Sequence, residues 1–237
     1  MALPRLNDVP YYELIIPSNK QKAKFRPFLV KEQKVLLIAY ESRDIKQILN
    51  SVMDCISFCV EGVDISELPS FDIDYIFTQI RTKSAGENTE VGIKCTNCEK
   101  TNNININLEE ISIEVPERDM SIKLNDIYTL NMKYPNYKEM IGDNVLLNDK
   151  RSGPDQMIAT LRQCMHSIQT EEENIILKNE TIEEIDEFIN SLNEEQYIMI
   201  AKFIENLPQL RYEKDYECKH CEKKNTLTIE GLQDFFT

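Results

Sequence analysis

The chain has 237 residues, 41% of them hydrophobic, with 6 Gly and 9 Pro. That is enough apolar material for a sizeable core, and it excludes wholesale disorder, collagen-like repeats and low-complexity sequence. A formal net charge of −14 argues against non-specific attraction to nucleic acid or anionic membrane, which needs clustered Lys and Arg.

The opening residues lack the apolar stretch and cleavage site of a signal peptide, and a cytosolic setting is expected. Apolar runs such as Val35–Tyr40 fall far short of the ~20 residues that span a bilayer. The β-rich run Val9–Pro17, a turn at Ser18-Asn19-Lys20 and the shorter run Lys22–Pro27 predict a hairpin, with its prolines at an edge. Lys31–Glu41 reads as a helix with Val35, Leu36, Ile38 and Ala39 on one face. Asp44 caps a second helix through Val60, whose apolar positions are Ile45, Ile48, Leu49, Val52, Ile56 and Cys59. Asp64 and Ser70 start further helices. Phe71–Lys83 buries Phe71, Ile73, Ile76, Phe77 and Ile80 and ends before Ala85-Gly86.

From Thr89 the period switches to two: Val91 and Ile93, then Ile104, Ile106 and Leu108, then Ile111, Ile113 and Val115. After Pro116 a hairpin is expected over Met120–Leu124 and Ile127–Tyr134, turning at Asn125-Asp126. Helical pattern returns from Pro154 through His166. Capping boxes at Thr181-x-x-Glu184 and Asn193-x-x-Gln196 open two more helices, and Pro208 stops the second. Their faces, Ile185, Phe188, Ile189, Tyr197, Ile200 and Phe203, are expected to bury one another. The tail, Tyr212–Phe236, reads as extended. The fold class is α+β in three parts: an N-terminal hairpin and helical domain (1–88), a β module from 89–135 with 211–237, and a helical insertion (136–210).

One local repeat carries chemistry. Cys95-Thr-Asn-Cys98-Glu-Lys-Thr-Asn102 recurs as Cys218-Lys-His-Cys221-Glu-Lys-Lys-Asn225, and the match continues as Ile104/Leu227 and Ile106/Ile229. Two thiolates separated by two residues can both reach one tetrahedral ion from a tight turn, so two such turns read as the knuckles of a zinc ribbon. The expected ligands are Cys95, Cys98, Cys218 and Cys221, around a structural Zn2+. Ribbon pairs usually lie ~15–20 residues apart; here 119 residues intervene. The competing reading is two unrelated turns with free or redox thiols. The shared Glu-Lys-x-Asn continuation argues against coincidence, and the βαβ context of a thioredoxin-like motif is absent.

Other candidates are weaker. Cys55 and Cys59 read as small buried hydrophobes on a helix. Cys164 and His166 lie two apart on an expected helix and face differently. His220 can substitute for a ligand, but four cysteines suffice. Two His in the chain support no nucleophile–base pair, and no phosphate-binding glycine loop is present. Glu171–Glu173 and the acids of Glu183–Glu187 read as solvated faces. The basic run Lys20, Lys22, Lys24, Arg26, Lys31 and Lys34 is either a solvated hairpin edge or a docking surface for an acidic partner, with Lys24, Arg26, Lys31 and Lys34 as the docking candidates.

Leu3-Pro-x-Leu6, Tyr12-Glu13-Leu14, Pro17-Ser18 and Phe25-Arg-Pro-Phe-Leu-Val-Lys-Glu32 resemble the baseplate protein family of T-even-type tailed phages. So do Leu68–Glu87 and the C-x-x-C positions. The resemblance is strongest over residues 3–110. It implies a hub subunit or hub assembly protein that works through contacts with other baseplate, hub or tape-measure proteins, with no catalytic residues to carry over. Such a protein acts in the cytoplasm of the infected host during tail assembly, or in the virion tail. A zinc-ribbon nucleic-acid-binding factor is the alternative. It is disfavoured because Lys94, Lys100, Lys219, Lys223 and Lys224 around the knuckles are offset by Glu90, Glu99, Glu217 and Glu222.

Overall fold

A computed structural model describes residues 9–142 and 153–230; the family-like Leu3-Pro-x-Leu6 and the end of the tail lie outside them. In chain order it contains β1 (Tyr12–Ile15), β2 (Lys22–Phe25), α1 (Val30–Ser42), α2 (Ile45–Cys59), β3 (Val60–Glu61), α3 (Ser70–Ala85), β4 (Asn88–Lys94) and β5 (Thr101–Asn107). There follow β6 (Ser121–Lys123), β7 (Thr129–Met132), α4 (Tyr137–Gly142), α5 (Gly153–Cys164), β8 (Met165–Gln169), β9 (Asn174–Ile176), α6 (Ile182–Asn190) and α7 (Glu194–Glu205). The chain closes with β10 (Arg211–Glu217) and β11 (Lys224–Glu230). The class is α+β, as expected. Two compact units result: one formed by the residues up to Val115 and from Gln209 onward, the other by Pro116–Pro208.

In the first unit, β1 and β2 form the expected antiparallel hairpin, and β3 adds a short third strand beside β2. The hairpin turn is tied to α3: the fully buried Asp72 carboxylate accepts from the Ser18 backbone N–H at 3.0 Å and from the Ser18 hydroxyl. Burial nonetheless pushes the Asp72 carboxyl above its ordinary value, with the Ser18 bonds opposing. α3 is buried nearly all round, including Ile73, Ile76 and Ile80. Its Thr78, Thr82 and Ser84 hydroxyls are satisfied by carbonyls four residues back. Asp44 caps α2 by accepting from Lys46 and Gln47, as its sequence position predicts.

The α1 face differs from the one expected. Of Val35, Leu36, Ile38 and Ala39, only Ala39 is fully buried, and the other buried position is Glu32. The reason is an ion pair. The Arg26 guanidinium meets Glu32 Oε1 at 2.9 Å, while Leu29 N–H donates to Oε2 at 2.8 Å and caps the helix. That arrangement turns the Glu32–Ala39 stripe inward and leaves Val35 and Ile38 outside.

In the second unit, β6–β7–β8–β9 is an antiparallel meander. The β6–β7 hairpin forms where expected, but it pairs onward with β8. The insertion is therefore not purely helical. Helical pattern ends at Cys164, and Met165–Gln169, with Met165, Ser167 and Ile168 inward, is a strand too short for its period to stand out. His166 is exposed on that strand. Both capping boxes are made. Ile189, Ile200 and Phe203 are buried in one cluster, with Ile185, Phe188 and Tyr197 packed against it.

Burial alone would raise the Glu32 carboxyl, but Arg26 and the Leu29 N–H hold it below the usual range. A carboxyl depressed in the folded state stabilises above its unfolded value near ~4.3, and that stability is lost as pH falls through the folded value. Glu32→Gln should therefore cost about 2–3 kcal/mol at neutral pH. In urea titrations the gap to the wild type should close as pH drops through the acid range; a pH-independent gap contradicts the pairing.

Candidate metal centre

The register of β4 with β5 ends at Lys94↔Thr101, and that of β10 with β11 at Glu217↔Lys224. Each hairpin tip is therefore a six-residue turn that begins on a cysteine. The turns are built alike. Cys95 N–H donates to Lys100 O at 3.0 Å, and Cys218 N–H to Lys223 O at 2.9 Å. Glu99 and Glu222 close the turns in the left-handed region, each at φ 58°. A non-glycine residue there is uncommon, and its appearance at the same place twice marks a shared, over-determined geometry.

The two tips bring four sulfurs together. Cys95 and Cys221 Sγ lie 3.7 Å apart, as do Cys98 and Cys218 Sγ, and all four atoms lie within 4.8 Å of one another. An ion bound tetrahedrally at ~2.3 Å from each sulfur requires S···S separations of about 3.8 Å, so the set fits a four-thiolate site. The separations are far from the ~2.05 Å of a disulfide, and all four cysteines are free. Donors are aimed at the sulfurs: Asn97 N–H reaches Cys95 Sγ at 3.4 Å, and His220 N–H reaches Cys218 Sγ at 3.4 Å.

The electrostatics favour a cation. Burial works against ionising Cys218, but the His220 N–H and the Asn102 amide bring its thiol down to about 6. The Asn97 and Cys98 N–H groups likewise lower Cys95. Cys98 goes the other way: against the Lys100 N–H, burial and the neighbouring sulfurs push it up to about 11. Four thiolates this close repel one another, and a central dication removes the conflict.

Two residues at the site have a role that sequence reasoning did not assign. Asn102 and Asn225 occupy the same offset in each repeat and are buried. Each reaches across to the other hairpin. Asn102 Oδ1 accepts from Lys219 N–H at 2.9 Å while its Nδ2 faces Cys218 Sγ at 3.4 Å. Asn225 Oδ1 accepts from the Thr96 N–H at 3.2 Å and hydroxyl at 2.7 Å while its Nδ2 faces Cys95 Sγ at 3.6 Å. The two amides thus lock the turns together about a local two-fold. The available clue was alternation: Asn102 shares its strand face with Ile104 and Ile106, where a buried amide needs partners. Below the tips, Ile104, Ile106, Leu227 and Ile229 join Leu108, Ile111, Leu210 and Tyr212 in one core. Ile111–Val115, expected as a strand, makes only the bridge Ser112↔Arg211.

The remaining candidates lie elsewhere. Cys55 and Cys59 are buried on α2. Cys164 is buried, which pushes its thiol up to about 12, while His166 is exposed. His220 contributes its backbone N–H to Cys218, and its exposed side chain stands outside the sulfur cluster. Of the basic docking candidates, Arg26 is half-buried in its pair with Glu32. Lys24 is exposed on β2 opposite Glu13 and Glu61. Lys31 and Lys34 are exposed on α1, Lys31 lying 3.3 Å from Glu32.

A family model described as T4 bacteriophage base plate protein matches residues 9–237. No curated protein and no solved structure matches the chain.

The amide braces carry a prediction. Groups that hydrogen-bond to the ligands of a metal typically contribute 10–100-fold in affinity. Asn102→Ala and Asn225→Ala should each weaken metal retention by about that factor, read by competition with a chromophoric chelator, and by similar amounts because the two sites are equivalent. Wild-type retention in both variants contradicts the brace.

Proposed function

The chain belongs to the T4 bacteriophage base plate protein family, and on that premise we propose that it is a non-enzymatic hub subunit or hub assembly factor of the tail baseplate, held in shape by a structural zinc ion. The match over residues 9–237 carries the baseplate reading. The four-sulfur cluster supports the metal. When bound, zinc supplies a tetrahedral cross-link and no redox chemistry. Cys95, Cys98, Cys218 and Cys221 would hold it as thiolates, with Asn97 N–H, His220 N–H and the two asparagine amides sharing their charge. Four thiolates leave no coordination position for a substrate, which makes the centre architectural and accords with a protein that works by contact. It would act in the infected cell's cytoplasm during tail assembly and, as a hub subunit, stay in the virion tail. Among the described residues no helix is long and apolar enough to cross a membrane.

The partners fitting this reading are other baseplate, hub or tape-measure proteins, steered in part by Lys24 and Lys31, with Arg26 holding the junction from which α1 departs. Charge steering of this kind raises association rates and weakens with salt. A nucleic-acid partner is not supported: the exposed Lys100, Lys219, Lys223 and Lys224 alternate with exposed Glu99, Glu217 and Glu222 around the tips.

Two measurements test the proposal separately. Native mass spectrometry of freshly reduced protein should show one zinc ion, absent from Cys218→Ser. A metal-free folded protein, or a visibly coloured iron form, contradicts structural zinc. Co-expression with hub and tape-measure proteins of the same phage should give capture that falls at high salt and in the Lys24→Glu/Lys31→Glu variant. Capture of nucleic acid in place of protein contradicts the assembly reading.

A further inference from the structure

α1 is the least covered helix of the first unit. Val30, Leu37 and Ile38 are 80%, 56% and 59% exposed, and Val35, Tyr40 and Phe58 of α2 widen the apolar surface at its flanks. We propose that this face of α1 is a self-association surface, on which a second copy of the chain packs its own α1 antiparallel about a two-fold axis between Leu37 and Ile38. The inference stands on α1 alone and needs neither the baseplate nor the zinc reading.

The commitment to a second copy comes from the charge pattern. At ~100° of rotation per residue, Lys34 and Glu41 fall on one line down the middle of the outward side, two turns apart. Leu37 and Ile38 lie between them, one to each side of that line. Both charged side chains are exposed, and among the described residues neither makes an ion pair within the chain. A two-fold axis through the Leu37–Ile38 midpoint sets Lys34 of each copy opposite Glu41 of the other. The same operation brings Leu37 of each copy level with Ile38 of the other, within the 13 residues of α1. A parallel pairing would instead oppose Lys34 to Lys34 and Glu41 to Glu41, with like charges repelling. The pattern is thus self-complementary in one orientation, as an isologous interface requires. A uniformly acidic partner helix would meet Lys34 favourably and Glu41 unfavourably, so the face suits it less well.

The contact is small. A 13-residue helix is about 20 Å long, and one helix pair falls below the ~1,200 Å² of a standard stable interface. The association should therefore be weak, concentration-dependent and salt-sensitive.

Sedimentation equilibrium of the full-length chain tests this. The wild type should move from monomer to dimer with concentration, and Leu37→Glu should remain monomeric throughout. Lys34→Glu and Glu41→Lys, taken singly, should each weaken the dimer about tenfold or more by opposing like charges. The double variant Lys34→Glu/Glu41→Lys should restore association to within a few-fold of the wild type. Circular dichroism should be unchanged in all four variants, since every altered side chain is exposed. A wild type that stays monomeric at the highest attainable concentration overturns the proposal. So do single reversals without effect, or a double variant as weak as the singles, the result expected if Lys34 serves an acidic partner instead.

Discussion

Four sulfurs within 4.8 Å of one another fix how the tips of two hairpins of the first unit meet. The hairpins come from stretches separated by 119 residues, and closing a loop of that length costs several kcal/mol of chain entropy before any contact rewards it. The shared apolar core beneath the tips meets part of that cost. The rest falls to the tips, where the sulfurs and the two crossed asparagines join one hairpin to the other. A metal held by all four sulfurs would bind only the assembled set, so its binding free energy would become folding free energy.

The second unit follows from this closure. It leaves at Pro116 and returns at Pro208, and next to these points the Ser112↔Arg211 bridge pairs the outgoing and returning chain within the first unit. Proline at both junctions denies the backbone a donor with which to extend pairing across them. An insertion with its own core can vary without disturbing the four-cysteine cluster, provided its two ends stay together. Here that core is built by a four-stranded meander backed by α5, α6 and α7.

Much of this was legible in the residues, and the exceptions share a cause. Capping boxes, the Asp44 cap and the C-x-x-C repeat are local: each is a side chain serving a backbone or an ion a few bonds away, so spacing alone identifies it. The orientation of α1 was not legible, because it is decided by Arg26 reaching Glu32 across the junction, which rotates the buried stripe toward Glu32 and leaves Val35 and Ile38 exposed. The role of Asn102 and Asn225 was half legible. Their repetition showed in the sequence, but a reciprocal bond between residues more than a hundred positions apart has no local signature. The strands β8 and β9 were hidden for a third reason: at five and three residues they are too short for alternation to emerge beside strong helical patterns.

The chain belongs to a baseplate family, and on the reading proposed above the four-cysteine cluster is the element that holds the two hairpins of the first unit together. Zinc K-edge X-ray absorption of the purified full-length chain measures that centre directly. A single shell of four sulfurs at ~2.3 Å, unchanged on replacing His220 with Ala, is the predicted result. A first shell containing nitrogen or oxygen, or two sulfurs per zinc, would show that the two turns do not share one ion and would contradict the account.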